Sequence, residues 1–390
     1  MYIEREINEH FKKVANIYNT VAIVGARQAG KTTFLKEKAK EIISSYVSFD
    51  DPDVRGLFDA DIKKFEIQYL ESHDVTVLDE VQYCKDAGIK LKYLADKGKK
   101  IWITSSSEII LGTEILSYLV GRVSIIRLYP FSLKEFLIAK GQLEVTQSIL
   151  ERSIWEHLTY GGYPKVVMND DTETKKIILK DLYDTMVLKD VAMTFSIEDI
   201  RTLEVLIKYL SVNVGGIVSY ENISRDITIS FQTLKKYLDA LEKSYVIIRV
   251  SPFFTNKTKE ITKQPKIYFV DTGLRNAIAK SFTAEIDGLL FENYILLELI
   301  KMGFFPKYWR TKSKTEVDFL IEKENIVIPI EVKINAEPGK IKRSLRAFID
   351  YYKPEKAIVV GYKCKKGEMK IDGCTVIFTD VPGMRELLLP

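Results

Sequence analysis

Histidine and cysteine are both scarce in this 390-residue chain, three of each, and the scarcity removes whole classes of chemistry. His10, His73 and His157 lie far apart, so no zinc-ligand spacing exists. Cys84, Cys364 and Cys374 are scattered and odd in number, which argues against a disulfide framework and suits a reducing cytoplasm. No run approaches the ~20 apolar residues of a membrane span, and Met1-Tyr2-Ile3-Glu4-Arg5-Glu6 lacks the apolar core of a signal peptide. A soluble, cytoplasmic chain with no membrane partner is the expectation. Excess charge is also small: a net +4 over this length leaves any nucleic-acid contact to local patches. Internal repeats and low-complexity tracts are missing too. The hydrophobic fraction, 46%, is that of a globular protein, and the length calls for two to four domains.

The most informative segment is Gly25 to Thr32, GARQAGKT, a complete GxxxxGKT phosphate-binding loop. Val21-Ala22-Ile23-Val24 before it reads as a buried strand, and Phe34 to Ile43 after it has helical apolar spacing. Gly25 and Gly30 let the backbone curl close to a triphosphate, and the amides of Ala26, Arg27, Gln28, Ala29 and Thr33 complete the cradle with the helix N-terminus. Lys31 is placed for the β and γ phosphates, and Thr32 for Mg²⁺. ATP and Mg²⁺ are the expected cofactors.

Val75 to Leu78 forms a second buried-type strand, ending in Asp79-Glu80. Asp79 is expected to hold Mg²⁺ through water, and Glu80 to orient or polarise the attacking water. A third strand, Ile101 to Thr104, runs into Ser105-Ser106-Ser107-Glu108, and Ser106 is chosen among the three serines as a γ-phosphate or water contact. Arg122 is a candidate charge-stabilising arginine, acting in cis or from a neighbouring subunit of a homo-oligomer; a surface salt bridge is the alternative.

With GARQAGKTT, YVSFDDP (Tyr46 to Pro52), VTVLDEVQ (Val75 to Gln82), ITSSS and LVGRV followed by LYPFSLKEF, the chain resembles P-loop ATPases of the AAA superfamily from archaea and bacteria that carry a C-terminal domain of unknown function. YGGYPKVV (Tyr160 to Val167), PKIYFVDTGL (Pro265 to Leu274) and the EVDFLI…IPIEVK pair extend the resemblance over almost the whole length. Ala26 and Ala29 depart from it, standing where that family often has proline and valine. The resemblance implies an α/β P-loop core over residues 1–142 and a small helical lid over 143–200, broken at Gly161-Gly162.

From residue 201 to 270 the pattern changes. Helices are expected at Leu203–Val212, Tyr220–Ile227 and Phe231–Ser244, then strands at Tyr245–Val250 and Pro265–Val270 joined by a loop bearing Lys257, Lys259 and Lys263. Three helices and a β-wing make a winged helix. Such a module inserts its third helix into DNA and touches phosphates with its wing, or it serves as a spacer or protein-contact module.

The last segment, 271–390, holds a second constellation. Glu316 to Ile321 and Ile326 to Lys333 read as a hairpin turning at Glu324-Asn325, so paired residues have numbers summing to 649. That register sets Asp318 opposite Glu331 and Glu316 opposite Lys333, about 4.5–5.5 Å apart at Cβ. Two carboxylates and a lysine are equipment for metal-assisted phosphodiester hydrolysis. A helix at Gly288–Met302 adds Glu292, and a helix at Lys340–Tyr352 and a strand at Lys356–Val360 follow. This order resembles the PD-(D/E)xK restriction-endonuclease-like fold, whose motif Asp318, Glu331 and Lys333 match, with Glu292 as a fourth acid and metal ligand. Pro329 inside the second strand implies an edge or a bulge. Lys340, Lys342, Arg343 and Arg346 bring positive charge toward the pocket. Two readings follow: an ATPase acting on DNA, or a nucleotide-dependent switch that engages protein partners and carries an inactive nuclease-like domain.

Overall fold

Five short strands build a parallel sheet near the N-terminus: β1 Thr20–Val24, β2 Ser44–Ser48, β3 Val75–Asp79, β4 Ile101–Ser105 and β5 Val123–Arg127, ordered β2-β3-β4-β1-β5. β1, β3 and β4 are buried along their whole length, as a parallel sheet covered on both faces requires. On one side the helices Asn8–Ile17 and Lys31–Ala39 pack Phe11 edge-on against Phe34 and Trp102. A second aromatic group, Phe49, Phe58 and Phe65, fills the space beneath the helices Pro52–Ala60 and Ile62–Tyr69. In YVSFDDP, Asp51 caps the first of these by accepting from Asp53 N, with Pro52 at the first helical position.

The computed structural model describes residues 2–106, 117–142, 144–254, 263–283, 285–324 and 326–389. Ser107, Glu108, Asn325 and the wing lysines Lys257 and Lys259 lie outside the described residues. The chain divides into two compact units, one of residues Met1–Phe131, Tyr163–Lys165 and Lys243–Tyr245 holding the parallel sheet, the other of Ser132–Gly162, Val166–Glu242 and Val246–Pro390.

The second unit begins with helices at Leu133–Ala139, Gln147–Tyr160 and Thr172–Leu182. The helix Gln147–Tyr160 stops at Gly161, whose φ of 78° lies in the left-handed region. Side chains are also excluded there: a Cβ on Gly161 would stand 2.0 Å from Asp271 Oδ1, and one on Gly273 would stand 2.1 Å from the Tyr160 carbonyl. Asp271 accepts from Gly162 N (2.7 Å) and Leu274 N (2.8 Å), and Asn276 Nδ2 donates to Thr159 O (2.9 Å). The YGGYP and VDTGL segments are therefore two halves of one buried joint. Burial raises the Asp271 carboxyl above its ordinary value despite these amides.

Helices Ile200–Val212, Tyr220–Asp226 and Phe231–Lys243 precede β6 Ile247–Val250 and β7 Lys266–Phe269, which pair antiparallel. Leu234, Tyr237, Leu238 and Leu241 form the buried face of the third helix, as their spacing predicts. Lys263 is exposed beside β7.

A mixed six-stranded sheet completes the unit: β8 Lys307–Arg310, β9 Glu316–Lys323, β10 Ile326–Ala336, β11 Lys356–Cys364, β12 Gly367–Ile371 and β13 Cys374–Thr379, in the order β12-β13-β11-β10-β9-β8. The apolar helix Gly288–Lys301 is buried from Leu290 to Leu299. From Ile326–Lys323 to Ile330–Phe319 every β9–β10 pair sums to 649. The expected edge or bulge at Pro329 is corrected: β10 is an interior strand and Pro329 pairs with Leu320 in register. Its missing donor is tolerated because the ladder to β11 begins only at Ile330.

Candidate functional site

The glycine loop connects β1 to the helix Lys31–Ala39. Gly25 has φ 149°, and a Cβ there would stand 2.0 Å from Leu128 O, so only glycine fits against β5's end. Gly30, at φ 98°, precedes the helix and offers no capping side chain, leaving first-turn amides for an anion. Ala26 and Ala29 are buried, Arg27 is half-buried, and Gln28 and Thr33 are exposed. Arg5, which sequence reasoning missed, braces the loop: it donates to Ala29 O (2.9 Å) and Tyr129 O (2.6 Å).

Lys31 is only 5% exposed and donates to Gly25 O and Ala26 O, both at 3.0 Å. Burial lowers its ammonium from 10.5 to about 8, with Glu80 and Asp79 opposing the shift. The folded value is below the unfolded one, so the penalty for burying this charge is complete below about pH 8 and fades as pH rises to 10.5. Phosphates at the loop would restore the charge. Nucleotide binding near pH 9 is thus expected to take up close to one proton, read by calorimetry in buffers of different ionisation enthalpy. A heat independent of the buffer would separate Lys31 from the phosphates.

At the end of β3, Thr32 donates to Asp79 Oδ1 at 2.8 Å, and Tyr46 donates to Asp79 Oδ2 at 2.6 Å. Thr104, at the end of β4, donates to Asp79 Oδ1 and receives the Glu80 amide at 3.1 Å. Glu80 has φ 57°, an unusual conformation for a non-glycine residue. Its Oε2 accepts from Gln82 and from Ser106 Oγ, the latter at 3.2 Å. Ser106 therefore meets Glu80, while Thr104 and Tyr46, which sequence reasoning did not select, hold Asp79. The Thr32 hydroxyl and Asp79 carboxylate are adjacent hard oxygen donors, a set suited to Mg²⁺. Arg122 is exposed and ion-paired with Asp96.

The C-terminal carboxylates also come together. Asp318 Oδ2 accepts from Val332 N at 2.8 Å, which sets it beside Glu331. Glu331 is 0% exposed; its Oε1 meets the Lys342 ammonium, and its Oε2 accepts no hydrogen bond among the described residues. Lys342 Nζ also lies 3.5 Å from Asp318 Oδ2. Burial raises both carboxyls above their ordinary values, and Glu292 adds to the effect on Asp318 as Asp318 does on Glu331. Burial works against the Lys342 ammonium, but the two carboxylates outweigh it and raise its value.

The other expected members are placed differently. Lys333 donates to Lys340 O at 2.7 Å, and burial lowers its value, with Lys342 repelling it. Glu292 accepts from Lys266 (3.0 Å) and Tyr268. Glu316 pairs with Lys266 at 2.5 Å and with Arg310 at 3.5 Å, not with Lys333. Among the described residues no group of three or more histidine, cysteine or acidic side chains is arranged around one metal position. The two-carboxylate set nonetheless suits a hard cation, since a fully buried oxygen of Glu331 stands without a donor.

Three segments of the chain match known families. Residues 18–137 match the family described as an AAA domain, and residues 151–285 and 287–379 match two domains of unknown function, DUF8612 and DUF4143. An uncharacterized protein of Haemophilus influenzae is 28% identical over 91% of this chain and 92% of its own. One from Methanocaldococcus jannaschii is 28% identical over 84% of this chain and 77% of its own. Among solved structures, the Walker-type ATPase PABY2304 of Pyrococcus abyssi is similar with a TM-score of 0.48 and 13% identity, over 71% of this chain and 96% of that one. Cdc6p of Pyrobaculum aerophilum has a TM-score of 0.31 and 11% identity, over 75% and 97%. No described helix is long and apolar enough to cross a membrane. The AAA-domain match thus falls on residues 18–137, the segment that carries the parallel sheet and the glycine loop, and it supports a P-loop ATPase core there.

Proposed function

We propose that the chain binds and hydrolyses ATP with Mg²⁺ and uses the cycle to act on DNA. The observation that carries the first part is the Thr32–Asp79 hydrogen bond beside Glu80, at the mouth of the glycine loop. Thr32 and Asp79 would hold Mg²⁺, which when bound neutralises phosphate charge. Gly25, Ala26, Arg27, Gln28, Ala29, Gly30 and Thr33 would line the phosphates, Lys31 would contact the β and γ groups, and Glu80 would orient water. Ser106 supports Glu80, and Arg122 would act after leaving Asp96 or in a neighbouring subunit. Mg²⁺-dependent phosphate release by the full chain tests this; no release above background would remove it.

The DNA part rests on residues 201–270 as a winged helix and 271–390 as a nuclease-like domain, beside the helical lid segment 143–200 and the ATPase core segment 1–142. The neighbouring Asp318 and Glu331 support it, being the pair that would hold a second divalent cation. Mg²⁺-dependent DNA cleavage is expected to fall roughly a hundredfold or more in Asp318→Ala. Equal behaviour of the two proteins on linear, nicked and branched DNA would eliminate the nuclease reading. One observation favours the second reading, a switch for protein partners: Lys342 fills the space between the carboxylates while Lys333 turns to a carbonyl.

A further inference from the structure

The helix Arg343–Tyr352 starts at Lys342, whose side chain makes no capping hydrogen bond. Short oxygen-bearing side chains are favoured at that position, and the positive end of the helix dipole disfavours a cation. Helix stability therefore gives no reason for a lysine. The place its ammonium reaches does. It touches Glu331 Oε1 and stands 3.5 Å from Asp318 Oδ2, the two buried acids of the pocket. Its side chain is 48% exposed while Glu331 is fully buried, so the lysine reaches the pocket from the solvent side.

The surrounding charges leave this lysine as the carboxylates' counter-ion. Glu292 is held by Lys266 and Tyr268, and Lys266 is shared with Glu316. Lys333 donates to the Lys340 carbonyl. One oxygen of Glu331 keeps no donor, so one ammonium does not satisfy both acids.

We propose that Lys342 is a built-in counter-ion that competes with a divalent cation for Asp318 and Glu331. Metal entry then requires the ammonium to swing out toward solvent, which its flexible four-carbon stem permits. An ammonium and a divalent cation cannot share this space, because their repulsion at a few ångströms in a buried site is large. The proposal rests on reading Asp318 and Glu331 as a metal pair, and it adds what controls that pair. Without the lysine, the two buried acids would lose the cation in contact with them, and the metal-free fold would weaken.

The test uses the full chain without nucleotide, titrated with Mn²⁺ by calorimetry and followed by thermal melting. Lys342→Met keeps the stem and removes the charge, and it is expected to bind Mn²⁺ about tenfold tighter or more. Its metal-free melting temperature should fall, and Mn²⁺ should raise it more than in the unaltered protein. Lys342→Arg, which keeps the charge, should bind as weakly as the unaltered protein. Adding Asp318→Asn to Lys342→Met should erase the gain, which separates this pocket from the glycine loop. Equal affinities in the unaltered protein and Lys342→Met, both lost with Asp318→Asn, would overturn the competition and leave the metal pair standing. No Asp318-dependent binding in any variant would remove both. If Lys342→Met fails to fold alone, recovery in Mn²⁺ supports the proposal, and failure to recover overturns it.

Discussion

Lys31→Met is expected to eliminate saturable uptake of a fluorescent ATP analogue, weakening it by roughly a hundredfold or more, because charge-assisted contacts to phosphate are lost. Methionine is chosen because Lys31 is almost fully buried and a similar volume keeps the loop packed. Burying this ammonium, depressed to about 8, costs on the order of 3 kcal/mol at neutral pH, and the substitution relieves that cost. Against the gain stand the Gly25 and Ala26 carbonyls, which lose their donor at about 1–3 kcal/mol for an unsatisfied group. The two nearly cancel. Melting close to that of the unaltered protein, with binding gone, would assign the loss to the charge. Undiminished binding would contradict the role given to Lys31.

Glu80→Gln is expected to leave nucleotide binding intact and to slow ATP turnover by roughly 10²–10⁴-fold, the usual contribution of a positioned base. The amide keeps the shape of the carboxylate and one oxygen for Gln82 or Ser106, so the left-handed turn at Glu80 should persist. Only the capacity to polarise water is removed. Single-turnover phosphate release, measured beside analogue binding, separates the two steps. Unchanged turnover would make Glu80 a structural residue of the strand end. Tyr46, Thr104 and Thr32 are spared, so Asp79 keeps its three hydroxyl donors.

Hairpin register was readable in advance because a strand alternates faces with period two and the turn position sets every pair after it. The 649 rule holds from Lys323 to Phe319, and Pro329 does not disturb it. Lys333 shows where that reasoning stops. It shares a strand face with Glu331, yet its ammonium ends on the Lys340 carbonyl, while Lys342 takes the carboxylates. A long flexible side chain is not directed by strand periodicity; it goes where the local field and free acceptors draw it. Glu292 is a similar case, since its partners Lys266 and Tyr268 come from β7, more than twenty residues earlier.

Strand, glycine loop and helix at Gly25–Thr32, the acids ending β3 and the carboxylate pair across β9 and β10 were all written in local spacing. Each depends on backbone period or on residues close in the chain. The donors around Asp79, the Arg5 brace under the loop, the Asp271 joint between YGGYP and VDTGL and the choice of Lys342, among the basic residues expected near the pocket, to face Glu331 came only with folding. They join segments up to 124 residues apart, and burial, which no local pattern encodes, decides which charges must find a partner.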